Sequence, residues 1–312
     1  MEIIELSYPF FNKQINCEEK VLAMGFFDGV HLGHQKVINK AKQIADRESL
    51  KLAILTYNHH PAIVYKKLDD DEKKYLTIKN SKMKLFEKLG VDIVFNVEYD
   101  YAFQNQSPEE FVSNFIIGSN TKFAVAGFNH TYGEVDANMK NLPKYAKDKF
   151  EVITVDPYEI SQSNIVSSTK IRGFLKEGNL KEVNQYLGHN FKTKGIVVHG
   201  YARGRELGYP TANIEHDNLQ QLPGIGVYIV TLMIKNHKYL GMASVGKNET
   251  FGTENPITVE INIINFNENI YGNSLDIEWI SKIRNQIKFN NVNDLIEQLA
   301  DDKQKTIQYF KN

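Results

Sequence analysis

The stretch VLAMGFFDGVHLGH, residues 21–34, decides how the rest of the chain is read. Val21 to Met24 make a short apolar run of the kind expected for a buried strand. Glycines at 25 and 29 then break it, allowing tight backbone angles and bringing main-chain N–H groups close to a ligand. From Gly33 on, Val37, Ile38, Ala41, Ile44 and Ala45 recur at helical spacing, so the turn empties into a helix N-terminus. Free backbone donors and the positive end of the helix dipole favour an anion there. His31 and His34, at i and i+3, can both hydrogen-bond phosphate oxygens on one side of that turn.

Outward from this stretch, strand and helix patterns alternate. KLAILTY (51–57) reads as a second strand, with NHHP (58–61) as the loop at its carboxyl end. A helical stretch over 81–89 leads to a strand over 91–97. Ser107, Pro108 and Glu110 form a capping box with proline at the first helical position, which predicts a helix to about Ile117. Strands over 123–128 and 152–155 complete five, and the alternation implies a doubly wound parallel sheet with ligands outside the carboxyl ends of its strands. His31, His34, His59, His60, Gly127 and Asn129 all fall at such ends. In VSSTKIR (166–172) Ser167 is predicted to cap a helix, and hydroxyls with Lys170 or Arg172 alongside can bind a triphosphate. A helix over 180–187, stopped by Gly188, closes the first domain.

From Phe191 the pattern changes to strands, over 194–199, 226–235, 239–245, 257–266 and 275–283, with glycine-marked turns. These suggest a small closed antiparallel barrel, and Leu295, Leu299, Ile307 and Phe310 predict an amphipathic terminal helix packed on it. In GRELGYPTANI (204–214) Thr211 and Asn213 share one side of a strand. A hydroxyl and an amide oxygen there suit Mg²⁺, which fills its other positions with phosphate and water. Glu260 projects to one face of the alternating run ITVEINIINF. GMASVGK (241–247) fits most of a Walker A pattern, but Asn248 follows it and no helix does, so a strand and turn are expected.

Composition narrows the class. The 312 residues suffice for two domains, and 42% hydrophobic with 24% charged residues is ordinary for a globular protein. The net charge of −1, with 13 Lys+Arg against 13 Asp+Glu from Gly188 onward, argues against a nucleic-acid partner. No run approaches a membrane span and MEIIELSYPF lacks signal-peptide character, so no membrane partner and a cytoplasmic location are expected. Cys17 is the only cysteine, which excludes a disulfide framework; it is expected to be a small, partly buried side chain. The sequence fixes no oligomeric state.

Seven motifs in chain order resemble those of a known family. GFFDGVHLGH resembles the signature of the HxGH nucleotidyltransferases, and FDGVHLGHQ is similar to that of the bacterial bifunctional riboflavin kinase/FAD synthetases. His59-His60-Pro61 is similar to that family's PHP-like element, with His59 in place of the first proline. GFNHTYG (127–133) resembles its GxDFxFG element, VSSTKIR its ISSTxIR element, GYPTANI its PTAN motif, and Val259-Glu260 followed by NIYG (269–272) its VE and DLYG-like elements. IRNQIKF (283–289) is similar to LRxExKF, and Glu249 stands where many relatives have proline before Thr250-Phe251.

The resemblance implies an FMN adenylyltransferase domain over 1–187 and a riboflavin kinase barrel over 188–312. Riboflavin would be phosphorylated by ATP to FMN, and FMN adenylylated by ATP to FAD. It implies ATP or phosphate contacts at Gly25, Phe27, Asp28, Gly29, His31, His34, Ser168, Thr169, Arg172, Gly204, Thr211 and Asn213. Flavin contacts are implied at His60, Asn129 and Arg284, Mg²⁺ at Thr211 and Asn213, and catalytic roles for His31, His34 and, as general base, Glu260. Three other readings remain at this stage: one half kept only as a flavin-binding regulatory module, a zinc site at His31, His34, His59 and His60, and a nucleic-acid-binding barrel.

Overall fold

The computed structural model describes residues 1–9, 18–133, 137–162, 164–200, 203–247 and 257–311. Cys17, Asn248, Glu249, Thr250 and Phe251 lie outside them. The chain divides into two compact units, Met1–Ser168 and Thr169–Asn312.

The first unit is built on six strands: β1 (Glu2–Leu6), β2 (Lys20–Met24), β3 (Lys51–Tyr57), β4 (Ile93–Val97), β5 (Thr121–Gly127) and β6 (Glu151–Val155). They pair in parallel in the order β1-β4-β3-β2-β5-β6. Every residue of β2 is buried because both its faces are covered. Val21 and Ala23 pack with Val37, Ile38 and Ala41 of the helix Leu32–Glu48, while Leu22 and Met24 pack on the other face with Phe111 and Phe115. Successive strands step from β2 to one side and from β5 to the other, so the topological switch, where open α/β sheets bind ligands, lies between the carboxyl ends of β2 and β5.

The sequence pattern predicts five strands here, and β1 is a sixth. Its carboxylates at Glu2 and Glu5 hide the pattern, because as an edge strand it buries only Leu6. The capping box forms as expected: Glu110 N–H donates to Ser107 Oγ at 3.2 Å and Ser107 N–H to Glu110 Oε2 at 2.8 Å. The helix it starts passes into a π-helical stretch, Val112–Ile117.

The second unit is a closed barrel of β7 (Phe191–Val198), β8 (Thr211–His216), β9 (Gly226–Ile234), β10 (His237–Lys247), β11 (Ile257–Ile263) and β12 (Ser274–Arg284). The order is β10-β11-β8-β7-β12-β9, with every pair antiparallel. Phe191, Thr193, Gly195 and Val197 alternate inward along β7, and Trp279 is fully buried, its Nε1–H donating to Thr193 Oγ1 at 2.9 Å. The Walker-like GMASVGK is part of β10.

The helix beginning at Ser168 and the helix Leu180–Leu187 pack with the barrel. Gly224 N–H donates to Leu175 O at 2.9 Å, and the Asn184 side chain joins Phe191 N–H and Trp279 O. The contact division therefore falls after Ser168, two helices before Gly188. The terminal helix, Val292–Tyr309, is buried most deeply at Asp302 and Thr306, which share a face with the half-buried Leu295 and Leu299, while Phe310 is 42% exposed.

Candidate active sites

In the first unit the turn after β2 is held in a conformation that side chains rarely adopt. Phe27 (φ +55°), Gly29 (φ +84°) and Val30 (φ +43°) are all left-handed, and for a β-branched residue such as Val30 this is strained. Gly29 is needed for its backbone angle. Gly25 is needed for another reason: a Cβ there would lie 2.9 Å from the Phe27 ring. The turn is tied down by Val30 N–H to Phe27 O at 3.2 Å and by Gln35 Nε2 to Val30 O at 2.8 Å.

The sequence groups Asp28 with the phosphate contacts. Its buried carboxylate instead receives Leu76 N–H at 3.2 Å and Thr77 N–H at 3.1 Å, strapping a neighbouring segment to the turn. Ser168 Oγ donates to the carbonyl of Asp28 at 3.0 Å. Thr169 and Arg172 belong to the second unit.

His31 is the N-cap of the helix Leu32–Glu48. Its Nδ1 accepts His34 N–H at 3.3 Å, which leaves the proton on Nε2. The two imidazoles stack with centroids 3.5 Å apart. Burial pushes the His31 pKa down to about 4. Burial, then the proximity of His31 and Lys82, holds His34 well below the ordinary histidine range. Both rings are therefore neutral at pH 7 and offer N–H groups rather than charges. His34 Nδ1 is sealed from solvent without a hydrogen-bond partner.

The other predicted residues of this unit surround the same sheet edge. His60 Nδ1 accepts Ala62 N–H at 3.1 Å, and its ring packs edge-on to Phe26 at 5.2 Å. His59 turns away to Tyr99 O at 2.6 Å. Asn129, exposed beyond β5, sits over Gly127, where a Cβ would lie 3.3 Å from its Oδ1. Next to it, His130 Nε2 and Tyr132 OH are buried without hydrogen-bond partners, and burial pushes His130 down to about 4. Among the described residues, no group of three or more His, Cys, Asp or Glu is placed to hold a metal ion.

In the barrel the candidate site is a side-chain ladder. Ala212 and Ile214 face the core, so Thr211 and Asn213 share the opposite face of β8. Glu260 is registered against Asn213 on one side and Ser244 on the other, and directly paired residues point to the same face. Thr211 Oγ1 lies 3.4 Å from Glu260 Oε2. Gly200 makes room for Asn213, since a Cβ there would collide with the amide, and Gly204 likewise makes room for the carbonyl of Tyr209.

Beside the ladder is a cavity of about 390 Å³ whose lining includes Val197, Arg205, Thr211, Ile261, Asn269 and Tyr271. Arg205 Nη2 donates to Tyr271 OH at 3.0 Å, and His199 stacks on Tyr271 at 3.8 Å. Arg284, expected at the flavin, forms a double hydrogen bond with Asp302, Nε–Oδ2 2.9 Å and Nη2–Oδ2 2.8 Å.

Three residues here escape the sequence reading. Lys82 lies under the turn, Gln286 donates to Ser244 Oγ at 2.8 Å, and Asp302 is fully buried. For Asp302 a signal existed: a carboxylate at an apolar-face position of a helix implies a buried partner.

Comparison with known proteins also finds two parts in the chain. Residues 13–170 match the FAD synthetase family model and residues 187–310 the riboflavin kinase model. The chain is 42% identical over 311 residues to a bifunctional riboflavin kinase/FMN adenylyltransferase of Listeria monocytogenes, covering 99% of this chain and 98% of the relative. It is 38% identical to that of Bacillus subtilis, over 100% of this chain and 99% of the relative. A crystal structure of a macrolide-efflux protein from Streptococcus pneumoniae superposes with TM-score 0.90 at 34% identity, covering 97% of this chain and 98% of that one. Among the described residues no helix is long and apolar enough to cross a membrane. Both halves match and the full length aligns, so the chain belongs to the bifunctional riboflavin kinase/FMN adenylyltransferase family.

Proposed function

We propose that the two reactions of this family are divided between the two sites: riboflavin is phosphorylated on the barrel ladder at Thr211, Asn213 and Glu260, and FMN is adenylylated at the turn bearing His31 and His34. The functional boundary is assigned to 187/188, so that the VSSTKIR segment serves the nucleotide of the first reaction centre. The observation that carries the reading is the convergence of Thr211, Asn213 and Glu260, from two strands, on one face beside a cavity.

In the kinase reaction Glu260 accepts the proton of the riboflavin 5′-hydroxyl as its oxygen attacks the γ-phosphorus and ADP leaves. The hydroxyl of Thr211 and the amide oxygen of Asn213 are hard donors on one face, which fits Mg²⁺ held jointly with ATP phosphates. When bound, that ion would neutralise charge on the transferring phosphoryl oxygens. Arg205 and Tyr271 at the cavity mouth orient the substrates.

In the adenylyl transfer no protein nucleophile is needed. An FMN phosphate oxygen attacks the α-phosphorus and pyrophosphate leaves. His31 and His34 donate N–H groups to the triphosphate oxygens, alongside backbone donors of residues 25–29 and the helix N-terminus. Asn129 and His60 border the flavin, and Ser168, Thr169 and Arg172 contact the nucleotide. Arg284 shapes the flavin side of the barrel through its pairing with Asp302.

Incubation with riboflavin, ATP and Mg²⁺, followed by chromatographic separation, should yield FMN and then FAD. With FMN supplied directly, His34→Ala should stop FAD formation while riboflavin phosphorylation continues. Unchanged FAD formation in that variant would refute the assignment of the turn.

A further inference from the structure

The helix Lys79–Lys88 carries a lysine that neither reaction, as assigned above, uses. Lys82 is 4% exposed. Its Nζ donates to Phe26 O at 3.1 Å, Thr56 Oγ1 at 3.2 Å and Tyr57 O at 3.4 Å, and sits 4.8 Å from the Phe26 ring. Thr56 Oγ1 itself donates to Phe26 O at 2.9 Å. All three N–H groups are engaged, so none remains for a ligand. Burying an ammonium costs several kcal/mol unless something compensates, and the acceptors all sit at the carboxyl ends of β2 and β3, the floor of the phosphate turn.

A trans peptide holds its C=O and N–H on opposite sides. Fixing the Phe26 carbonyl on Lys82 therefore turns the Phe27 N–H away from the ammonium. Phe27 is the first left-handed residue of the turn, and its ring meets His34 edge-on at 5.3 Å. The charge of Lys82 also bears on His34. The groups facing it are Asp28 on the turn, Lys79 on its own helix, His34 on the helix Leu32–Glu48, and Tyr57 and Thr56 on β3.

We propose that Lys82 is a positioning residue for adenylyl transfer, whose charged ammonium locks the Phe26–Phe27 peptide and with it the turn against which the His34 ring packs. This rests on the assignment of the turn given above. Burial brings the Lys82 pKa down from 10.5 to about 8, with Asp28 raising it and Lys79 lowering it. The ammonium therefore loses its proton slightly above neutral pH, and adenylyl transfer should decline there.

Unfolding does not give the same profile. An unfolded lysine keeps its proton to about 10.5, so between pH 8 and 10.5 the unfolded chain binds more protons and the fold gains stability with rising pH. A fall in activity across that window is opposite in sign.

The test compares kcat/KM for FAD formation from FMN against pH in the full chain, for wild type, K82R and K82Q, with riboflavin phosphorylation and thermal unfolding as controls of folding. The wild type should show an alkaline limb near pH 8. K82R, which stays charged, should carry activity beyond that limb, and K82Q should be about 10²-fold slower, the scale of one lost positioning donor, with no limb. A folded K82R or K82Q that keeps the wild-type limb overturns the proposal; if K82R does not fold, K82Q decides alone. Should His34→Ala leave FAD formation intact, the assignment of the turn fails instead, whatever the Lys82 variants do.

Discussion

The two proposed reaction centres are made from different materials. The first is mostly main chain: a turn with three left-handed residues at a helix N-terminus, flanked by neutral imidazoles. The second is mostly side chain: Thr211, Asn213 and Glu260 lined up by strand register on the face of a barrel. A main-chain site is sensitive to backbone torsion as well as to the imidazoles that flank it. A ladder site depends on its side chains, since an isosteric swap leaves its geometry intact while removing its chemistry.

The largest expected effect tests the ladder. Glu260→Gln keeps the shape and removes the base, and should slow riboflavin phosphorylation about 10²- to 10⁴-fold, with FAD formation from FMN unaltered; loss of both activities would mean that the two centres are not separable. Thr211→Val should come next, raising the Mg²⁺ concentration needed for half-maximal phosphorylation while leaving adenylyl transfer alone. An unchanged Mg²⁺ dependence would remove Thr211 from the ion's partners.

For the backbone site, Gly29→Ala places a Cβ on a residue at φ +84°, a strain of about 1–3 kcal/mol. It should weaken ATP binding in FAD formation about tenfold or more. Gly272→Ala in the barrel, at φ +79° with open space around it, carries similar strain at a turn beside the ladder. It should lower the barrel's melting temperature yet leave the rate of FAD formation from FMN unchanged.

The smallest effect is one of pH. His31 and His130 are pushed down to about 4 by burial, and His34 is also lowered, chiefly by burial. Groups whose folded pKa lies below the unfolded value contribute stability that is complete above about 6.5 and is lost as pH falls toward 4. All three are in the first unit. Trp279, the only tryptophan, is in the second. From pH 7 to pH 5 the far-ultraviolet dichroism melt should therefore acquire an early phase that tryptophan fluorescence does not follow; coincident melts would show that the histidines do not set the first unit's acid limit.

Much of this was legible in the sequence because it rests on local pattern. The strand–glycine–helix succession around residue 25 gives the parallel sheet and the position of its crevice. Alternation gives the shared face of Thr211 and Asn213, and one face of its own strand for Glu260. What stayed hidden depends on contacts distant in sequence. β1 is unreadable without β4 to cover it, and the Arg284–Asp302 pair joins a strand to a helix eighteen residues on. Asp28, in the middle of the signature, holds Leu76 and Thr77 through bonds that no local pattern announces. The strain at Val30 is likewise invisible, since nothing in a valine marks it for a left-handed angle.

The pairing of β8 with β11 has one more consequence. Thr211 and Glu260 are 49 positions apart and meet only through that ladder. Side chains alternate along a strand, so a slip of a single residue would turn the carboxylate into the barrel's interior. With the ladder as the proposed kinase site, phosphorylation of riboflavin becomes an assay of correct barrel closure: a chain whose hairpins have formed but whose ladder is out of step should be soluble, folded by spectroscopy and silent.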